Sequence, residues 1–185
     1  MTTPLNKVPT SSRPATPVLP LRQQIQSAHL VGIGGAGMKA LTELLTGLGW
    51  HISGSDLHTS PTLLAMQQRG LRVHAGHQDG HLPQQADVLV YSPAVGPQNP
   101  ERQLASRLNI PQFSYSQMLG RLMQTRRGVC IAGTHGKSTT TAMTASILSV
   151  SGLDPSAIVG AELCERHESG WAGNGDLMVV ESCEY

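Results

Sequence analysis

The sequence predicts an α/β fold made of two parallel-sheet units in series. Three observations carry this: a glycine-rich turn at residues 32–37 that closes an apolar strand and opens a helix, a second such turn at residues 133–136, and strand-like and helix-like segments alternating between them. Two turns of this kind about 100 residues apart, each opening its own α/β unit, predict two domains.

Length and composition bound the rest. A chain of 185 residues can bury the core of one large or two small domains, and with 3% aromatic and 39% hydrophobic residues that core is aliphatic. The net charge is +1 and the basic residues are scattered, which excludes a nucleic-acid surface or a polybasic membrane patch. No apolar run approaches the roughly 18 residues of a membrane helix, and the N-terminus lacks an apolar signal core. Cys130, Cys164 and Cys183 show no paired metal spacing and are expected to be reduced packing residues of a cytoplasmic protein. Residues 1–24 hold Pro4, Pro9, Pro14, Pro17 and Pro20 among Ser and Thr; they bury too little to offset their ordering entropy, so a disordered tail is expected there.

The first unit opens at Ala28 with A-H-L-V-G-I-G-G-A-G-M. An apolar strand runs into Gly32-x-Gly34-x-x-Gly37, and Met38, Leu41, Leu44, Leu45 and Leu48 follow at helical spacing. Gly47 and Gly49 end that helix, a second strand starts at His51, and Asp56 stands at its carboxyl end. This order is a Rossmann-like βαβ unit. Its glycines let a pyrophosphate approach the backbone at a helix N-terminus, and the acid about 20 positions on reaches a ribose hydroxyl. Gly32, Gly34, Gly35, Ala36, Gly37 and Asp56 are therefore the candidate nucleotide-binding residues.

The alternation continues with a helix over residues 61–68, strands over 71–74 and 86–91, a helix over 100–108, a short strand over 110–113 and a helix over 116–124. Ligands of such sheets sit at the carboxyl ends of the strands, which adds Ser92 to the candidates. His74, His77 and His81 fall at a strand end and in its polar loop with no Cys or helical partner, so surface histidines are expected there and not a zinc site.

The second unit begins with the apolar run Val129 to Ala132 and then G-T-H-G-K-S-T-T-T. A strand that ends in a glycine-bounded turn opening into a helix builds a P-loop-type phosphate cradle: backbone amides point at the anion, Lys137 supplies a charge and Ser138 a hydroxyl for Mg²⁺. The candidate ATP-binding residues are Gly133, Thr134, His135, Gly136, Lys137, Ser138 and Thr139. Ile131 stands where the commonest form of the motif has its first glycine, so the loop starts later and is tighter. The helix is expected to end at Val150, with a short strand over 157–159, a polar stretch over 165–175 and a last strand over 176–180. Glu181, at the carboxyl end of that strand, is the first candidate for a second Mg²⁺ ligand, and Glu184 the next.

With these residues in hand, H-L-V-G-I-G-G-A-G-M, S-G-S-D and G-T-H-G-K-S-T-T-T-A-M resemble the Mur ligases of bacterial cell-wall synthesis, over residues 28–185. The shifted glycine of the second loop is a trait of that family. His135 and the G-I-G-G-A-G-M loop resemble its alanine-adding branch more than its murein-peptide recycling branch. The resemblance implies ATP and Mg²⁺, with UDP-N-acetylmuramate and L-alanine as substrates. It assigns residues 25–125 to a UDP-sugar-binding domain and 126–185 to the opening part of the central ATPase domain. The chain is then expected to be an N-terminal piece, inactive in isolation. Departures are Ser138 where the family commonly has Thr, and E-S-C-E-Y in place of the usual E-A-D-E-S. Two other classes stand beside this reading: a non-catalytic UDP-sugar-binding module, and an oxidoreductase read from the first loop alone. The second phosphate loop argues against the latter, since hydride transfer needs none.

Overall fold

In the computed structural model, which describes residues 27–164 and 166–182, the apolar run Ser27–Val31 forms β1 at the centre of a five-stranded sheet. It leads into α1 (Ala36–Gly47), β2 (His51–Asp56), α2 (Pro61–Gln68), β3 (Arg72–Ala75), a short 3-10 turn at Asp79–His81, β4 (Val88–Tyr91), α3 (Pro100–Arg107), β5 (Gln112–Ser114) and α4 (Tyr115–Gln124). The strand order is β3-β2-β1-β4-β5, and every pairing is parallel. Short polar side chains start the helices after β2 and β4: Ser60 accepts from the Leu63 amide, Asn99 accepts from Glu101 and Arg102, and each is followed by a proline in the first turn. A reciprocal Ser114–Gln117 capping box starts α4.

The second sheet consists of β6 (Arg127–Ile131), β7 (Ser156–Leu163), β8 (Glu168–Trp171) and β9 (Leu177–Glu181), with α5 (Lys137–Val150) between β6 and β7. Its order is β6-β9-β7-β8; β6, β9 and β7 run parallel and β8 runs antiparallel to β7.

Helix α1 is the shared element of the two sheets. Met38, Ala40, Leu41, Leu44 and Leu45 are all buried, too many for one stripe, and they belong to a core that takes Leu30 and Val90 from the first sheet and Ile158, Met178 and Val180 from the second. Each of the Met, Leu, Ile and Val side chains contributes about 1.5–3 kcal/mol by leaving water. A smaller cluster around Val31, Leu89 and Ala105 fills the opposite face of the first sheet, and Ala145, Ala157 and Val179 pack α5 on the second.

Four expectations change. The polar stretch 165–175 contains the strand β8, which Gly170 lets settle so closely on α1 that a Cβ there has no room against the Ala40 carbonyl. The short strand over 157–159 is the eight-residue β7. Cys130 and Cys164 are exposed, because β6 is an edge strand and Cys164 lies just beyond β7. His77 and His81 are not surface residues: each side chain is 15% exposed and turned toward the buried Glu101. The proline-rich tail, Cys183 and Glu184 lie outside the described residues.

Candidate functional site: two helix-opening loops

The first loop hangs on the end of β2. Gly32, at φ +81°, and Ile33 donate their amides to the Ser55 carbonyl at 2.8 and 3.0 Å, and the Gly34 amide donates to Asp56 Oδ2 at 2.8 Å. Each glycine has a distinct spatial reason. A Cβ on Gly32 would stand 2.8 Å from Ser92 Cβ, one on Gly34 2.9 Å from Asp56 Oδ2, and one on Gly37 3.2 Å from the Tyr115 ring. Gly35 is the extended N-cap of α1, and its own amide donates to the Gly32 carbonyl at 3.3 Å. The loop amides are therefore occupied by protein acceptors. What remains for an anion is the first turn of α1, where Ala36, Gly37 and Met38 precede the first intrahelical donor, Lys39. Gly32, Gly34, Gly35, Ala36, Gly37, Asp56 and Ser92, predicted from sequence, thus converge on one helix N-terminus.

The second loop joins β6 to α5. Gly136 takes the left-handed conformation (φ +72°) as the N-cap, a geometry that a side chain would strain, and Gly133 sits at φ +151°. Lys137 bends back so that Nζ donates to the Gly133 carbonyl at 2.7 Å, spanning the loop. Gly133, Thr134, His135, Gly136 and Thr139 are exposed. Ser138 Oγ donates to Glu181 Oε1 at 3.1 Å, and Glu181 Oε2 accepts the Gly160 amide at 2.6 Å.

Sequence reading missed Gly160, whose Cβ would lie 2.6 Å from Glu181 Oε2. The carboxylate can lie across β7 only because that side chain is absent. Among the described residues no group of three or more His, Cys, Asp or Glu forms a metal site. A hydroxyl and a carboxylate 3.1 Å apart beside a phosphate loop still fit Mg²⁺, which takes one or two protein oxygens and completes its shell with phosphates and water.

Behind the first loop lies a polar cluster that the sequence did not announce. Glu101, on α3 and fully buried, accepts from His29 Nε2 and Ser55 Oγ, both at 2.7 Å, and from the Gln78 amide at 3.1 Å. Burial pushes its carboxyl up, but the hydrogen bonds from His29 and Ser55 and the positive fields of His29 and His77 outweigh it and hold the group below the ordinary value. A cleft of about 650 Å³ lined by Lys39, Glu43, Arg69, Arg166 and Trp171 lies beside α1 and contains none of the predicted site residues. Both helix-opening loops lie outside it, and their amides need no cavity to meet an anion.

A strand that ends in a glycine loop opening a helix begins each of the two linked α/β units, and comparison with known proteins says which family shares this arrangement. The family described as "Mur ligase family, catalytic domain" matches residues 27–127, more than half of the chain. The chain belongs to the Mur ligase family. It is 40% identical over 163 residues to the UDP-N-acetylmuramate–L-alanine ligase of Sulfurihydrogenibium sp., covering 88% of this chain and 36% of that protein. Among solved structures, the UDP-N-acetylmuramate-alanine ligase of Thermotoga maritima superposes with a TM-score of 0.73 at 27% identity, over 84% of this chain and 36% of that one. The UDP-N-acetylmuramate:L-alanyl-γ-D-glutamyl-meso-diaminopimelate ligase from Neisseria meningitides gives 0.76 at 26%, over 88% and 54%. The chain spans about a third of the length of the curated relatives it matches.

Proposed function

We propose that this chain carries the UDP-sugar-binding and phosphate-loop portions of an ATP-dependent ligase that joins L-alanine to the carboxylate of UDP-N-acetylmuramate. The observation that carries the reading is the Ser138–Glu181 pair at the mouth of a G-T-H-G-K-S loop, in a chain whose first glycine loop opens the neighbouring helix. Residues 25–125 form the UDP-sugar domain in this reading, and 126–185 the opening of the central ATPase domain. The 40–43% identity to alanine-adding relatives favours that branch; the fold alone does not, since the recycling ligase superposes as well.

Amide formation needs an activated acid. The muramoyl carboxylate attacks the γ-phosphorus of ATP, the bond to the β,γ-bridging oxygen breaks, and ADP leaves with that electron pair. The amine of L-alanine then adds to the acyl phosphate, and phosphate departs as the amine loses its proton. The protein's part is positioning and charge. Lys137 Nζ, now on the Gly133 carbonyl, swings to the transferring phosphoryl group, and the first-turn amides of α5 hold the phosphates. Ser138 and Glu181 would hold Mg²⁺, which when bound would supply positive charge against the phosphates. The first turn of α1 holds the UDP pyrophosphate, with Asp56 fixing the loop through Gly34. A cytoplasmic location follows from ATP and UDP-sugar chemistry, and among the described residues no helix is long and apolar enough to cross a membrane.

Phosphate release tests the reading in a protein extended to the length of its relatives. UDP-N-acetylmuramate, ATP and Mg²⁺ should give turnover with L-alanine and not with L-alanyl-γ-D-glutamyl-meso-diaminopimelate. The reverse preference would assign the recycling reaction, and no turnover with either would remove the ligase reading.

A further inference from the structure

We propose that Glu101 is a positioning residue for the nucleotide loop, acting from the far face of the sheet through Ser55. The proposal rests on the reading of that loop as a pyrophosphate site. Ser55 is fully buried and is held at two points: its hydroxyl donates to Glu101 Oε2 at 2.7 Å, while its backbone carbonyl accepts the Gly32 and Ile33 amides at 2.8 and 3.0 Å. Its chain neighbour Asp56 takes the Gly34 amide. Three consecutive loop amides thus hang on two residues at the tip of β2, and Glu101 is the group that anchors that tip from α3.

Fold stability alone does not require a charge at this place. Burying a carboxylate costs several kcal/mol unless paired, and a well-packed apolar side chain of similar volume commonly serves stability as well or better. What a fixed anion adds is directional. Glu101 Oε2 takes both His29 Nε2 and Ser55 Oγ, and Oε1 takes the Gln78 amide, so α3, β1, β2 and the loop after β3 are tied at one point. His77 Nδ1 lies 2.9 Å from Ser55 Oγ and 3.4 Å from Glu101 Oε1, and His81 Nδ1 lies 3.9 Å from the same oxygen. Ser55 is therefore gripped from both sides, its carbonyl cannot swing, and the first turn of α1 keeps its aim when a diphosphate arrives. Glu101 does not touch the nucleotide in this scheme.

Calorimetric titration of the 185-residue chain with UDP-N-acetylmuramate and with UDP, at a temperature where circular dichroism shows every variant folded, tests this. Glu101→Gln and Ser55→Ala should each weaken binding about tenfold or more, as expected for losing a hydrogen bond to a charged group. Both should also move the amide resonances of Gly32, Ile33 and Gly34 in the free protein. Ser53→Ala removes the other partner of His29 at 2.8 Å, away from the loop, and should lower the melting temperature while leaving affinity and those resonances unchanged. Wild-type affinity in Glu101→Gln, or affinity that falls in step with melting temperature in all three variants, would overturn the proposal and leave the pyrophosphate site standing. Absence of binding by the wild-type chain would instead remove the pyrophosphate reading and this inference with it.

Discussion

Glu43 on α1 and Ser169 on β8 join the two sheets: the Glu43 carboxylate accepts the Ser169 amide at 2.9 Å and its hydroxyl at 3.0 Å, and the same oxygen takes the Gly170 amide at 3.1 Å. Helix α1 begins at the first glycine loop, and β8 belongs to the sheet whose β9 ends in Glu181. One partly buried acid therefore ties the helix that the first loop opens to the sheet that carries Glu181.

Glu43→Ala should destabilise the chain by about 2–4 kcal/mol, because it leaves the Ser169 and Gly170 amides without an acceptor in a largely buried place. Urea denaturation measures the loss, and hydrogen exchange at those two amides should accelerate first. Unchanged stability would mean that apolar packing of α1 on the second sheet is sufficient.

Gly160→Ala should displace the Glu181 carboxylate, since the new methyl carbon would stand 2.6 Å from Oε2. Destabilisation of about 1–3 kcal/mol is expected, with weakened Mg²⁺-dependent nucleotide binding in a protein of the relatives' length. Binding and stability equal to wild type would show that the carboxylate has another resting place.

Acid should weaken the fold in two stages. Burial first, then the positive fields of His81 and Arg72, hold His74 below its usual 6.5, and its ring stacks on His81 at 4.3 Å. Glu101 lies below its usual 4.5. Both folded values are lower than the unfolded ones, so the unfolded chain binds more protons and stability rises with pH. The contribution of His74 is complete above pH 6.5 and is lost as pH falls below it; that of Glu101 is complete above 4.5 and is lost further down. Urea midpoints between pH 8 and pH 3 should fall in that order, and His74→Gln should flatten the first stage. Midpoints that rise on acidification would contradict the sign.

In a protein of the relatives' length, Lys137→Ala should lower acyl-phosphate formation by about 10³-fold or more while leaving UDP-sugar affinity nearly intact, because in the proposed mechanism the lysine serves the transferring phosphoryl group, on the other sheet from the sugar loop. Phosphate release and calorimetry on the same variant separate the two effects. Wild-type turnover would remove the phosphate-loop assignment.

What could be read in advance was whatever is local in the chain. Strand, glycines, helix and Asp56 are contiguous, and so are Gly133 to Thr139, so backbone chemistry at each turn was legible; Pro61 and Pro100 likewise marked their helix starts. Contacts between distant residues were not. Glu101 meets Ser55 and His29 only because the order β3-β2-β1-β4-β5 brings the first turn of α3 within reach of β1 and β2, and nothing in N-P-E-R signals it. Strand β8 escaped for a related reason: E-S-G-W shows no alternation, and its stability comes from α1, more than a hundred residues earlier. Cys130 looked like core because its neighbours are apolar, but β6 lies at the edge of its sheet and none of its residues is buried.

The most direct test of the central claim is calorimetric titration of UDP-N-acetylmuramate into this chain and into its Gly34→Val variant. A branched side chain at Gly34 would begin 2.9 Å from Asp56 Oδ2 and break the hydrogen bond that shapes the loop, so the wild-type chain should bind and the variant should show no measurable heat of binding. Equal affinity in the two proteins would contradict the assignment of this loop to the sugar nucleotide.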